Sequence, residues 1–339
     1  MSRGCNAVVF SRESAEPVED GNRERPQDAL LADMNLPYQQ VFYPLGYAVE
    51  VSTNDAVVLE IADECFNQTH SLRPGPMLRV NIGVTEGKGV GCPREPIRRE
   101  YNHLFSLVAD ADNQALLDLN TFISFAWVTQ DAVRNRLYFR YNFLEKVVYL
   151  LLGSSVVTDL HAACVGRNNR GILLCGNSGA GKSTLAYGCA REGWIYTSDD
   201  TSYLINDSVG PRVIGHAHRV RFRPDAKRLF AELVNHEVSP RLEGKPSIEV
   251  PVAELPIIST ANEADVYSIV YLKRYSSARG KLVRLPEGTA TQRMREALYS
   301  AGEVRARHEK ILGSLYAVPT YELHYFHLED AIRELEKLA

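Results

Sequence analysis

The chain has 339 residues, 45% of them apolar and 24% charged, with 38 Lys and Arg against 42 Asp and Glu for a net charge of −4. That length and balance fit about two globular domains of a soluble protein, and the mildly acidic total excludes the basic footprint of a nucleic-acid binder. No apolar run approaches the roughly 20 residues a membrane helix needs. The longest is Val147 to Leu152, and the first residues carry no apolar signal core. The expectation is a cytoplasmic protein with neither nucleic acid nor membrane among its partners. Six cysteines (Cys5, Cys65, Cys92, Cys164, Cys175, Cys189) stand without a C-x-x-C pair, so free thiols are expected.

Residues 1–36 are polar, with Glu13, Glu16, Glu19, Asp20, Arg23 and Arg25 in close succession. Such a segment cannot bury enough apolar area to offset the entropy of ordering, and reads as a flexible tail. Residues 37–153 read as a smaller mixed α/β domain. A strand or hairpin is predicted over Gln40 to Val51, a helix over Asp55 to Phe66, and strands over Met77 to Val84, His103 to Val108 and Thr121 to Val128. Tyr141 to Leu152 has apolar residues at helical spacing and leads into the next domain. This unit has no catalytic motif. It is expected to be a structural or oligomerisation module, making the protein a homo-oligomer, or else a substrate-recognition module. His103, among Arg98, Arg99 and Glu100, reads as part of a solvated face.

Residues 154–339 read as the second α/β domain. A hairpin pairs 160–166 with 171–175 across the polar tip Arg167-Asn168-Asn169-Arg170. Strands are predicted at Thr201 to Ile205, Arg212 to Gly215, Ile248 to Val252, Val266 to Tyr271 and Glu322 to Phe326. Helices are predicted at Asp225 to Val234, Thr289 to Tyr299, Val304 to Leu315 and Leu328 to Leu338.

Within this domain, Gly176-Asn177-Ser178-Gly179-Ala180-Gly181-Lys182-Ser183 fits G-x-x-x-x-G-K-[ST] at every position, after the apolar run Gly171 to Cys175 and before the helix-compatible run continuing through Thr184. Small residues let the backbone curl so that successive N–H groups point at phosphate oxygens, and a following helix N-terminus adds partial positive charge. Lys182 would reach the β- and γ-phosphates of ATP, and the Ser183 hydroxyl would ligate Mg²⁺. Asp199-Asp200 follows only 17 residues after Lys182, a spacing of one helix, one tight turn and a strand. One carboxylate can sit in the Mg²⁺ sphere while the other takes a proton from an attacking hydroxyl. The plain alternative is an Asx-type turn. His161 lies 15 residues before Gly176. In the hairpin reading it and the end of the P-loop strand lie at the two open ends, and a satisfied core or edge histidine is the competing role. Arg219, Arg221 and Arg223 alternate, so in an extended segment all three face one way, as a phosphate clamp or as a charged strand edge.

The succession His161-Ala162-Ala163, the loop 176–183, Arg191-Glu192-Gly193-Trp194 and Ser198-Asp199-Asp200 resembles the catalytic core of the HPr kinase/phosphorylase family over about 40 residues. The resemblance implies a P-loop fold akin to phosphoenolpyruvate carboxykinase, with ATP and Mg²⁺ as cofactors. It also implies that Lys182 binds phosphate, that Ser183 and one Asp hold the metal, that His161 tunes an adjacent carboxylate, and that the Asp pair supplies the base. Lys245 would be a loop residue near the site. Two departures bear on activity: Thr184 stands where the bifunctional members carry Glu, and Arg219-Val220-Arg221-Phe222-Arg223-Pro224 stands where they carry a glycine-containing phosphorolysis segment. The expected activity is therefore a one-directional kinase acting on a substrate other than HPr.

His161, Lys182, Asp199 and Asp200 are expected to serve catalysis, with Asp199 as base. Residues 176–184 with Arg219 and Arg223 are given to nucleotide binding, and Ser183 and Asp200 to the metal. The acceptor is a Ser or Thr of a peptide or protein. A small-molecule hydroxyl is the alternative, and an ATP-binding sensor or assembly factor is the alternative outside the kinases.

Overall fold

The computed structural model describes residues 35–67, 71–87, 91–168, 170–206, 210–239, 246–256, 258–275, 280–298 and 300–339. Nearly all of the expected tail, and Lys245, lie outside them. Seven strands form the first sheet: β1 (Tyr38–Phe42), β2 (Val49–Thr53), β3 (Leu78–Thr85), β4 (Ile97–Tyr101), β5 (Leu104–Val108), β6 (Gln114–Asp118) and β7 (Ile123–Thr129), in the order β1-β2-β3-β7-β6-β5-β4. β2, β3 and β7 run parallel and the outer pairs antiparallel. The parallel step from β2 to β3 needs a crossover, which α1 (Ala56–Phe66) supplies. Its start is set by Asp55, whose carboxylate accepts from the Val57 N–H at 3.0 Å. Val58, Ile61, Ala62, Cys65 and Phe66 recur at helical spacing and are its buried stripe.

The helix expected from Tyr141 begins earlier. Thr129 caps α2 (Gln130–Arg134), and Asn135 then caps α3 (Arg136–Phe139) through a 3.2 Å bond to the Tyr138 N–H. A π-helical turn, Arg140–Leu144, leads into α4 (Glu145–Ser155). These caps are short side-chain signals that apolar periodicity does not register. Val147, Val148, Leu151 and Leu152 of α4 enter a core shared with the first sheet and with Tyr203, Ile205 and Ile214 from the later half of the chain. Residues 36–339 accordingly cluster as one unit.

The second sheet has ten strands: β8 (Val157–Leu160), β9 (Ala162–Arg167), β10 (Arg170–Cys175), β11 (Ile195–Ser198), β12 (Ser202–Ile205) and β13 (Arg212–Gly215), then, beyond the separate antiparallel pair β14 (Arg219–Phe222) and β15 (Ile248–Pro251), β16 (Ser259–Thr260), β17 (Glu263–Arg274), β18 (Lys281–Arg284) and β19 (Thr320–Tyr325). β17 joins its two parts. Glu263 to Asp265 pair with β13, whereas the rest of the strand pairs with β10 on one side and β19 on the other. One face is covered by α5 (Lys182–Arg191) and, later, α8 (Leu328–Leu335), and the other by α6 (Thr289–Glu296) and α7 (Gly302–Leu312). The chain is thus a mixed α/β protein with mixed sheets.

The helix expected over Asp225 to Val234 is replaced by two 3₁₀ turns, Pro224–Arg228 and Ala231–Leu233. Phe230 between them is extended (φ −127°, ψ 109°) and lays its ring 4.8 Å from Tyr187 and 6.0 Å from Phe222. That aromatic burial outweighs continuing a helix in a segment whose other side faces solvent.

Candidate active site

β10 ends at Cys175, and the chain then turns through residues 176–181 into α5, with positive φ at Gly176 (152°), Gly179 (87°) and Gly181 (98°). Gly181 is required twice over: its φ disfavours a side chain, and a Cβ there would stand 2.5 Å from the Tyr325 hydroxyl. That hydroxyl donates to the Ala180 carbonyl at 2.7 Å, and Ala180 N–H donates to the Asn177 carbonyl at 3.0 Å. The loop is therefore held from within and from β19. α5 starts at Lys182 directly after this loop, and its N-cap Gly181 has no side-chain cap, so the first turn, with Ser183 and Thr184, adjoins the loop as helix N-termini that take anions do.

Two connections lie side by side next to the loop. β8 passes into β9 through the single residue His161, and β11 passes into β12 through Asp199, Asp200 and Thr201. Because β11 pairs with β9 (Ser198 with Cys164) and β12 with β8 (Ser202 with Leu160), the two corners fall at the same level of the sheet. Ser202 Oγ donates to the Ala162 carbonyl at 2.9 Å and lies 2.6 Å from Ser198 Oγ, pinning one corner to the other. Pairing of Ala162 with Cys175 sets His161 beside Gly176. The open end of the hairpin is thus where the histidine meets the glycine-rich loop 176–181.

Lys182 is buried, and its Nζ donates to the Gly176 carbonyl at 2.8 Å and lies 2.9 Å from His161 Nε2. His161 Nδ1 in turn lies 3.6 Å from Asp200 Oδ1. Burial, then the Lys182 charge, lowers the His161 pKa against the pull of Asp200, so the ring is neutral at pH 7. An ammonium can only donate, so Nε2 accepts and Nδ1 carries the proton toward Asp200. Burial also lowers the Lys182 pKa, opposed by Asp200. Asp199 is the buried member of its pair. Burial first, and the neighbouring Asp200 charge second, push its carboxyl up to about 7, although its Oδ2 accepts from the Arg221 N–H at 2.7 Å. Ser183 Oγ donates to the Asp199 carbonyl at 3.3 Å.

The three arginines part company. Arg223 Nη2 donates to Ser178 Oγ in the glycine-rich loop at 3.1 Å. Arg219 and Arg221 instead pair with Glu249 on β15, at 2.7 and 3.0 Å. Arg140 from the π-helical turn joins the same carboxylate at 2.8 Å, and the Tyr141 hydroxyl donates to its other oxygen. These cations hold the Glu249 carboxyl far below the usual range despite its burial. Arg219, expected at the nucleotide, instead belongs to this cluster, its guanidinium held by Glu249 and the Glu64 carbonyl. Glu249, which gathers these three cations, is not among the residues expected from the sequence. Its one signal is a carboxylate alternating with Ile248 and Val250 in a strand that follows an alternating arginine strand. Tyr325, which bounds the loop, has no such signal.

Among the described residues no three His, Cys, Asp or Glu side chains converge as a metal cage. Mg²⁺ in phosphoryl transfer takes only one or two protein oxygens, the rest coming from phosphate and water. The hydroxyl of Ser183 and the carboxylate of Asp200 are hard oxygen donors of that kind, so the residues present fit it.

No family model and no curated protein matches the sequence. Among solved structures, the chain is similar to the Hpr(Ser) kinase/phosphatase from Coxiella burnetii at 10% identity and a TM-score of 0.30, over 53% of this chain and 89% of that one. No helix among the described residues is long and apolar enough to cross a membrane.

Proposed function

We propose that the protein is an ATP- and Mg²⁺-dependent phosphotransferase that moves the γ-phosphoryl group to a hydroxyl. One observation carries this reading: a P-loop lysine, a neutral histidine and an aspartate stand in series, beside a second, buried aspartate whose pKa lies near neutrality. A nucleotide-binding loop alone needs only the lysine. The paired carboxylates add what proton abstraction from an alcohol requires.

In this reading the loop N–H groups and Lys182 hold the β- and γ-phosphates, with Arg223 and Ser178 at the rim. Ser183 and Asp200 would hold Mg²⁺, which when bound supplies positive charge to the phosphate oxygens. Asp199 takes the acceptor proton as the acceptor oxygen bonds to the γ-phosphorus. The bond from phosphorus to the β–γ bridging oxygen breaks, and its electron pair leaves with ADP. Neutral His161 donates toward Asp200 and orients that carboxylate. A Ser or Thr hydroxyl of a peptide or protein is the acceptor the resemblance implies, and a small-molecule hydroxyl can use the same apparatus. Thr184 in place of Glu, and the arginine-rich β14, favour the forward reaction over phosphorolysis. We further place the protein in the cytoplasm, with residues 37–153 as a domain distinct in role from the P-loop domain 154–339.

The test is the fate of γ-labelled ATP with Mg²⁺ and a pool of serine-containing peptides and small alcohols. Label in an acid-stable hydroxyl ester is expected. Slow release of inorganic phosphate alone, whatever is added, would return the protein to the nucleotide-dependent sensors.

A further inference from the structure

Between the first sheet and the α6–α7 region lies a cavity of about 120 Å³. Phe105, Leu119, Leu150 and Val304 give it an apolar wall, the end of α4 adds Gly153, and β8 adds Asp159. Val157, Thr158 and Leu160 of that strand are buried, so Asp159 is the one residue of β8 open to solvent. Among the described residues no hydrogen bond and no ion pair engages its carboxylate. Burial is the one influence on it, raising its pKa to about 7 with no neighbouring cation to offset the effect. Gly153 leaves it room, since a Cβ there would stand 3.2 Å from Asp159 Oδ1. A carboxylate set among apolar groups is costly unless a cation or donor pairs with it. The two other charges in the lining engage each other: Arg98 lies 3.8 Å from Glu100 and lays its guanidinium 4.5 Å over the Phe105 ring.

The uncharged polar groups of the lining show what would pair with Asp159. His308 Nε2 lies 2.6 Å from the Gly153 carbonyl, which can only accept, so Nε2 carries a proton. Burial lowers the His308 pKa against the pull of that bond, so the ring is neutral at pH 7 and Nδ1 is an acceptor. Ser300 Oγ, 3.0 Å from Nδ1, therefore directs its one proton to the ring. What Ser300 offers the cavity is an oxygen lone pair. Asp159 and Ser300 thus present acceptors only, and an alkylammonium group, with three donors and no acceptor, is their complement.

We propose that this cavity binds a small organic amine, with its ammonium on Asp159 and Ser300 and its carbon body against Phe105, Leu119, Leu150 and Val304. The volume is roughly that which holds one small ring. A hard metal ion would need about six oxygens, where this lining is largely carbon. None of the lining residues belongs to the proposed catalytic machinery, so amine binding is independent of the kinase reading.

The full chain is titrated at constant ionic strength with n-butylamine, n-butanol and butyrate, which share a short alkyl body and differ in charge, by calorimetry and by NMR of the His308 ring. Butylamine should bind saturably and at least about 10-fold more tightly than butanol, the scale of one charge-assisted hydrogen bond. It should also shift the His308 resonances and raise Tm with concentration, as a ligand of the folded state does. Butyrate should bind more weakly than either. Asp159→Asn keeps the shape of the side chain and breaks no existing contact, so it should melt as cooperatively as the wild type while the preference for butylamine over butanol disappears. Ser300→Ala should weaken butylamine by about 5-fold, the loss of one hydrogen bond. No saturable binding of butylamine, equal affinity for the three compounds, tighter binding of butyrate, or butylamine affinity unchanged in either variant would overturn the amine site.

Discussion

The ammonium of Lys182 lies 2.9 Å from Nε2 of His161, a residue 21 positions earlier in the chain. The contact exists because β9 and β10 pair from Arg167–Arg170 to Ala162–Cys175, which brings the start of one strand against the end of the other. If the loop binds ATP as proposed, Lys182→Ala removes its lysine and should weaken ATP binding or turnover by about 10²-fold or more. It should also let the His161 pKa rise, since the Lys182 charge helps to hold it down. NMR titration of the ring together with ATP calorimetry checks both, and an unmoved histidine with unchanged ATP affinity and turnover would remove Lys182 from the site.

Asp199 links activity to pH. As a base it works only when ionised, and burial has pushed its pKa up to about 7, so kcat should rise with pH through about 7 and level off above it. Its effect on stability has the opposite sense. A folded pKa above the unfolded value adds stability that is fully present below the ordinary 3.8 and is lost as pH rises through about 7. Asp199→Asn should therefore raise the stability at pH 8, by on the order of a few kcal/mol, while turnover falls. A variant less stable than wild type at pH 8 would show that the carboxylate is not strained by burial.

Glu249 behaves in the reverse way. Its carboxyl is held below the ordinary 4.5 by Arg221 and Arg140, so it contributes stability above pH 4.5 that is lost as pH falls below it. Glu249→Gln removes the carboxylate that Arg140, Arg219 and Arg221 share and should cost about 3 kcal/mol at pH 7. The gap from wild type should shrink in urea titrations run below pH 4.5. A cost independent of pH would mean that lost packing, not charge, is responsible.

Gly181→Ala should destabilise by about 1–3 kcal/mol, from its positive φ and from the collision with the Tyr325 hydroxyl. Tyr325→Phe frees the space and loses one hydrogen bond, at a cost of about 1 kcal/mol. Combined, the two changes should cost less than their sum, because the phenyl edge no longer meets the new methyl. Strict additivity in thermal melts would place the whole cost of Gly181→Ala in its backbone.

The elements that carry strong local signals were legible in the sequence. Asp55 and the apolar stripe behind it mark α1, and the glycines around Lys182 mark the loop between β10 and α5. What was not legible depends on partners distant in the chain. β4 is exposed along its whole length, so it has none of the alternation by which a half-buried strand is read. The turns at Pro224–Arg228 and Ala231–Leu233 follow from where Phe230 finds Tyr187. The alternation of Arg219, Arg221 and Arg223 was correct, but their roles divide at the tertiary level, where Glu249 takes two of them and Ser178 the third. Likewise the sequence held His161 and the Asp pair as separate candidates. The paired corners of β8–β9 and β11–β12 are what join them.

The most direct test of the account is phosphoryl transfer measured beside ATP affinity in wild type, Asp199→Asn and Asp200→Asn. The account predicts labelled hydroxyl ester from the wild type, and kcat lower by about 10²-fold or more in Asp199→Asn, the usual scale of general acid–base catalysis. Asp200→Asn should fall comparably with a raised Mg²⁺ requirement, while both variants bind ATP through a P-loop that does not depend on either carboxylate. Near-normal transfer in both variants would contradict it, and would reduce the Asp199-Asp200 corner to a turn between two strands.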